Sequence, residues 1–492
     1  MAEENHLIKE RKDKIESLKK LGINPYAHRY EPTHKALDLQ EKYSHLKNEE
    51  HTKDNVTIAG RIITLRRMGK ATFAHLQDVT GKIQIYLRED EIGKDYEILK
   101  LSDMGDIVGV EGEIFKTKTG EVTVNVKKYT FLTKAILPLP DKWHGLQDTE
   151  ARYRMRYVDL IVNPQVRSTF ITRAKIIAKM REIYEKNGFL EVDTPILQPI
   201  YGGAQAKPFT TYHNELKMKM FLRISNELYL KRLIVGGFER VYEFSKDFRN
   251  EGISTRHNPE FTCVETMAAY WDYRDSLKFI EHIISETAQS VLGTMKITYQ
   301  GQKIDLTPPW DQITMIEAIK KYAGVDFIKI KDVKEACSIA QKMGIKTNKE
   351  MCKGNIIGAF YEEFVEPKLI QPTFVMDYPY EVSPLAKRKQ EDLDFTERFE
   401  LVIGGREYAN VYSELNDPEV LRKNWEHQKK LMEAGDEEAQ PVDEDFLRAL
   451  EHGMPPTSGI GIGVERLIML LTDSQSIRDV VLFPALKSEE QK

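Results

Sequence analysis

The sequence predicts an α+β chain: a small β-barrel, then a larger domain in which helices alternate with strands. Three observations carry that reading. Apolar residues recur with period two in short runs between Val56 and Leu132, as half-buried strands require. A proline-bearing stretch, LPLPDKWHG at residues 137–145, ends that rhythm. Beyond it Phe170, Ala174, Ile177, Met180, Ile183 and Tyr184 follow a helical period.

Composition narrows the function classes. At roughly 150 residues per domain, 492 residues suggest about three domains, with a core large enough to need no disulfide or structural metal. Lys+Arg total 72 against 77 Asp+Glu, a net charge of −5. That excludes a wholesale basic protein but leaves room for a local basic face. Cys263, Cys337 and Cys352 form no C-x-x-C pair, so neither a disulfide framework nor a zinc knuckle fits. A reducing, cytoplasmic setting is expected. The opening MAEENHLIKERKDK lacks the apolar stretch of a secretory signal. Leu467 to Leu471, the longest apolar run, falls far short of the ~20 residues a membrane span needs.

The elements follow in order. Residues 6–21 read as an amphipathic helix stopped by Gly22, with Leu7, Ile8, Ile15 and Leu18 as a thin apolar stripe. Six of the twelve residues from Lys9 to Lys20 are basic, so a solvated surface helix is expected within an N-terminal extension, residues 1–50. Strands are predicted at Val56–Leu65, Thr72–Asp78, Ile83–Arg88, Ile107–Lys116 and Glu121–Leu132, separated by MGK, TGK and TKTG turns. Five strands within residues 51–136 favour an OB-fold, although an SH3-like barrel or small sandwich shares the pattern. Arg61, Arg66, Arg67, Lys70, Lys116 and Lys118 on such a barrel suit nucleic acid. Residues 137–160 are taken as a linker and 161–492 as the second domain, opening with a helix over Thr169–Lys186 that Asn187-Gly188 ends. The run DEEAQPVDED, residues 436–445, reads as a solvated loop or helix start.

Absent motifs restrict the chemistry. No G-x-x-x-x-G-K-[ST], no strand-to-helix G-x-G-x-x-G, no H-E-x-x-H and no G-x-S-x-G occurs. Any nucleotide phosphates must therefore be held by side chains and metal ions.

Three segments stand out. GFLEVDTPILQP, residues 188–199, reads as a strand leaving the long helix and broken by Pro195; alone it is most simply a buried strand with a bend. VYEFSKDFRNEGISTRHNPEFTCVE, residues 241–265, pairs two strands around a loop bearing Arg249, Glu251, Arg256, His257 and Asn258. A solvated hairpin tip does not explain so dense a string; a buried Arg249 suits bidentate contact with carboxylate and phosphate, and Phe261 offers a flat face to a base. PPTSGIGIGVERLIMLL, residues 455–471, is a glycine-rich strand followed by a helix with Arg466 in its first turn. Gly459, Gly461 and Gly463 either serve tight packing or let a flat group lie on the backbone. Between them Glu400 and Glu407 flank a Gly-Gly turn and suit Mg²⁺, although paired surface glutamates are the commoner meaning of that spacing.

Together these segments resemble motifs 1, 2 and 3 of the class II aminoacyl-tRNA synthetases. Their order, their spacing and the preceding barrel are similar to the lysyl-tRNA synthetases in particular, over nearly the whole chain. The resemblance implies a catalytic antiparallel sheet with flanking helices, an anticodon-binding OB-fold and a homodimer with Pro195 near its interface. It implies ATP-dependent ligation of L-lysine to tRNA(Lys) through a lysyl-adenylate. Arg249 and Arg466 are then catalytic. ATP is held by Arg249, Glu251, Arg256, His257, Asn258, Phe261, Glu400 and Arg466. Glu400 and Glu407 bind metal, with about three Mg²⁺ per site. Lysine is held by Glu227, Arg249, Glu265, Asn410, Tyr412 and Glu414, with Glu414 at the ε-ammonium and Glu227 and Glu265 nearer the α-ammonium. Phe73, Gln84 and Glu121 read the anticodon, and the basic N-terminal helix adds phosphate contacts.

One departure is Met267, where the family usually carries a tyrosine that helps hold the ε-ammonium; a thioether is a weak acceptor, so softer lysine selection is expected. The competing readings are a paralogue activating a lysine-like amino acid and a catalytically silent RNA-binding homologue. An aspartate- or asparagine-specific enzyme of the same architecture fits poorly, because Glu227, Glu265 and Glu414 would repel an acidic side chain.

Overall fold

The structure is a computed structural model that describes residues 2–140, 146–348, 351–433 and 441–488. Residues 141–145 of the expected linker and 436–440 of the acidic run lie outside the described residues. The chain forms two compact units, Met1–Gln147 and Asp148–Lys492.

The first unit opens with helix α1 (Ala2–Lys20) and continues into strands β1 (His51–Met68), β2 (Ala71–Gln77), β3 (Lys82–Arg88), β4 (Ile107–Lys116) and β5 (Val122–Thr133). They close a barrel in the order β1-β2-β3-β5-β4, with a parallel β3–β5 pair and antiparallel neighbours elsewhere. Alternation sends Ile83, Ile85 and Leu87 of β3 inward. At Gly112 the β4–β5 register slips, and a Cβ there would lie 2.1 Å from the Asn125 carbonyl oxygen, so the close approach needs glycine.

The N-terminal extension belongs to this unit. Leu18, Leu39, Tyr43 and Leu46 join the barrel's core. Nor is α1 wholly solvated as expected: Arg11 is buried and donates to the carbonyls of Met104, Ala135 and Leu137, while Lys14 pairs with Asp103 at 2.8 Å. Buried carbonyls need donors, and this helix supplies them from its basic face.

The second unit starts earlier than expected. Arg156 is fully buried, paired with Asp159 at 2.7 Å and donating to the carbonyls of Arg478 and Leu482. Such a desolvated guanidinium fixes residues 148–160 to this unit, so they are not linker. Helix α2 (Pro164–Lys186) ends at Gly188, whose φ of 79° is left-handed. The expected strand over 188–199 does not run through. Only β6 (Leu190–Glu191) joins the main sheet, and Leu197–Gln198 pairs instead in a separate three-stranded sheet. Pro195, without an N–H, falls in the break.

Next come helix α3 (Glu227–Val235), strands β7 (Arg240–Phe248) and β8 (Glu260–Ala269), helix α4 (Tyr273–Leu292), then β9 (Asp311–Thr314), β10 (Thr373–Met376), β11 (Arg398–Ile403), β12 (Arg406–Ser413), β13 (Thr457–Gly463) and helix α5 (Val464–Leu471). The sheet order is β9-β10-β11-β12-β13-β8-β7-β6. Its six central strands are antiparallel, and only the two edge pairs, β9–β10 and β6–β7, are parallel. Helices α2, α4 and α5 cover one face. Tyr184 stacks on Tyr242 with centroids 4.3 Å apart and accepts a 2.8 Å hydrogen bond from Thr266, among Phe279, Ile280, Val411, Ile462 and Leu467. Each such buried apolar side chain contributes about 1.5–3 kcal/mol.

Candidate active site

The uncovered part of the sheet carries the polar residues singled out from sequence. Arg249 follows β7, and its backbone N–H donates to the Pro259 carbonyl across the mouth of the 249–259 loop. Its guanidinium lies 5.1 Å from the Phe261 ring, and its buried Nε has no hydrogen-bond partner among the described residues. A desolvated donor left unmatched points to a ligand that supplies the acceptor. Glu251, Arg256, His257, Asn258, Phe261 and Arg466 line the same cavity of ≈ 370 Å³. Burial, and next Arg466, hold His257 below the usual imidazole range. Asn258 donates to the Glu260 carbonyl and accepts from the Ala485 N–H, so its amide ties the loop down.

The cavity's other end is acidic. Glu227 at the start of α3, Glu265 on β8 and Glu414 just after β12 all line it, with Asn410, Tyr412 and Met267. Burial first, then the charge of Asp247, pushes Glu265 well above the carboxylate range; Ser225 donates to it at 3.0 Å. Burial pushes Glu414 up to about 8 against the opposing charge of Lys231. Tyr412 donates to Glu227 at 2.6 Å, and Asn410 accepts from Arg398 at 3.0 Å. Gly459 is explained differently from the expected flat ligand: a Cβ there would lie 1.9 Å from Glu414 Oε1. Its missing side chain makes room for that carboxylate.

Glu400 and Glu407 meet at a second cavity of ≈ 730 Å³, which shares Arg256, His257, Glu407 and Arg466 with the first. The β11–β12 turn at Gly404-Gly405, both left-handed, sets their spacing. Burial, and then the charge of Glu407, pushes Glu400 up to about 7. Arg398 pairs with Glu400 at 2.7 Å and Arg466 with Glu407 at 3.0 Å. Two mutually repelling carboxylates form an all-oxygen donor set that fits a hard divalent cation.

On the barrel, Phe73, Gln84 and Glu121 line a third cavity of ≈ 810 Å³. Gln84 donates to Glu121 at 2.7 Å, and His75 contacts the other oxygen of Glu121 at 2.7 Å. Phe73 stacks on Tyr86 at 4.5 Å, and His51 on Phe115 at 4.9 Å. Tyr86, Phe115, His51 and His75 were not singled out from sequence, although their alternation on the strands was a usable signal. Lys231, Ser225 and Arg398 were missed as well; Lys231 stands one helical turn after Glu227.

A class II synthetase sheet in a chain that also carries an OB-type barrel is the class these two units define. The chain belongs to the class II tRNA synthetases (D, K and N), whose family model matches residues 148–487, and an OB-fold nucleic acid binding domain matches residues 56–132. Among its relatives, the lysine–tRNA ligase of Carboxydothermus hydrogenoformans is 53% identical over 487 residues, covering 99% of each chain. The lysine–tRNA ligase of Thermosynechococcus vestitus is 54% identical over 97% of this chain and 96% of its own. That of Nostoc sp. is 54% identical over 97% of this chain and 87% of its own.

Proposed function

We propose that the chain ligates L-lysine to tRNA(Lys) with ATP, through a lysyl-adenylate. The observation that carries the lysine reading is a trio of carboxylates, buried Glu227 and Glu414 and half-buried Glu265, at one end of a cavity whose other end carries Arg249, Arg256 and Arg466. A substrate with two ammonium groups and one carboxylate complements the acidic end and Arg249 together.

In this reading Arg249 receives the lysine carboxylate and the α-phosphate, drawing nucleophile and electrophile together. A carboxylate oxygen attacks the α-phosphorus, the bond to the β-phosphate oxygen breaks and pyrophosphate leaves. Phe261 and Arg466 flank the adenine, while Glu251, Arg256 and His257 face adenine and the outer phosphates on a loop fixed by Asn258. Arg249 neutralises the charge that develops at phosphorus, while Arg466 fixes the nucleotide through its base. Glu400 and Glu407 would hold Mg²⁺, which when bound neutralises phosphate charge. The tRNA 3′-terminal hydroxyl then attacks the adenylate carbonyl and AMP departs. Phe73, Gln84 and Glu121 read the anticodon by stacking and hydrogen bonding.

A homodimer in the cytoplasm completes the proposal. Leu190, Ile196, Leu197 and Ile200 around Pro195 are exposed, an apolar strip suited to a second copy. No helix among the described residues is long and apolar enough to cross a membrane. Charging of a tRNA(Lys) transcript with radiolabelled lysine tests the function. Lysine must be attached and aspartate and asparagine refused; attachment of either acidic or amide competitor, or of nothing, contradicts it.

A further inference from the structure

Lys231 is 1% exposed, yet its Nζ lies 2.5 Å from Glu227 Oε1 and 2.5 Å from Glu414 Oε2. Glu227 Oε2 takes the Tyr412 hydroxyl at 2.6 Å. Neither Glu414 oxygen has a hydrogen-bond partner among the described residues: Oε2 is held by the Lys231 ion pair, and Oε1 lies in the space that Gly459 leaves. Of the four oxygens on these two carboxylates, three thus have a charged or hydroxyl partner within the protein, and Oε1, beside Gly459 at the cavity lining, has none.

We propose that Lys231 is a positioning residue for amino-acid selection: it clamps Glu227 to Glu414 and leaves Glu414 Oε1 as the oxygen that receives the side-chain ammonium. The proposal rests on the lysine reading above and deepens it. Tyr412 and Met267 flank Gly459 in the sheet register, and Met267 packs at 2% exposure. Glu227 is then a holder of the clamp, not the partner of the α-ammonium, and Glu265 is left for that group.

The clamp also governs charge. Glu414 faces Lys231 and Glu227 from α3, Lys387 from the segment before β11 and Tyr412 from β12, while Glu265 in the same cavity feels the charges of Asp247, Glu227 and Arg249. Burial raises the Glu414 pKa and the Lys231 ammonium opposes that rise. The ammonium-binding form is the carboxylate, so the KM for lysine falls as pH rises through the Glu414 pKa. Without Lys231 two buried carboxylates face each other, one keeps a proton, and that inflection moves upward.

The test is tRNA-independent ATP–pyrophosphate exchange between pH 6 and 10, with lysine and ATP titrated separately, on wild type, Lys231→Met and Lys231→Arg. For K231M we expect the inflection in lysine KM to rise by about one pH unit or more, a lysine KM raised about tenfold or more at neutral pH, and an ATP KM within about threefold of wild type. K231R, which keeps the charge, must retain the wild-type inflection. If K231M does not fold, Lys231→Gln carries the same expectation. An unshifted profile in the neutral variant, a shifted one in K231R, or equal loss for lysine and ATP at every pH overturns the clamp. No exchange with lysine by the wild-type protein instead overturns the lysine reading, and the clamp with it.

Discussion

At the scale of single residues, the proposed selectivity rests on carboxylates, of which Glu414 is the one most fully removed from water. Glu414 is 1% exposed, and its cost of burial is tolerable only with cations beside it. Replacing Glu414 by Gln keeps the shape and removes the charge. Lysine KM in pyrophosphate exchange should rise about 10- to 100-fold, the loss of one charged hydrogen bond, with ATP KM within about threefold. An equal rise for both substrates would mean a general collapse of the pocket. Glu265 was named from sequence at the end of the 241–265 segment, and Glu227 and Glu414 as positions matching the lysine pocket of the family the chain resembles. Lys231 was not, since its partner Glu414 comes from a strand 183 residues away and only the fold brings them together. Gly459 was legible as a glycine that matters, but its reason, the room needed by Glu414 Oε1, required the packed neighbour.

At the scale of elements, a polar contact inside an apolar core helps to hold helix α2 to the sheet. Tyr184 stacks on Tyr242 and its hydroxyl accepts from Thr266, with both side chains fully buried. Tyr184→Phe keeps the ring but strands the Thr266 hydroxyl, and should lower stability by about 1–2 kcal/mol in urea unfolding. An unchanged midpoint would show that Thr266 finds another acceptor. The barrel strands were readable to within a few residues because one face of each is buried and the period of two is clean. The strand expected over residues 188–199 was not, because its two ends pair in different sheets and Pro195 interrupts the ladder between them. The linker was placed too long for a related reason: Arg156 looks like a surface charge in sequence and becomes a buried anchor only against the Arg478 and Leu482 carbonyls.

At the scale of the whole molecule, two compact units divide two recognition tasks, and each is separately testable. Phe73→Ala, which removes one ring from the Phe73–Tyr86 stack, should raise the KM for tRNA(Lys) about tenfold, within the about 1–3 kcal/mol that one base stack contributes. Lysine-dependent exchange without tRNA should be unchanged; equal loss in both assays would argue against a separate anticodon site. The net charge of −5 conceals this division, since carboxylates collect at the proposed amino-acid and metal positions while Arg66, Lys116 and Lys118 border the barrel cavity. The central claim is that the acidic end of the ≈ 370 Å³ cavity selects an amino acid by its side-chain ammonium. The most direct measurement is ATP–pyrophosphate exchange without tRNA, driven in turn by lysine, ornithine, norleucine and aspartate. The account predicts strong exchange with lysine, weaker exchange with ornithine, and none with norleucine or aspartate. Exchange driven equally by norleucine, or absent with lysine, would contradict it.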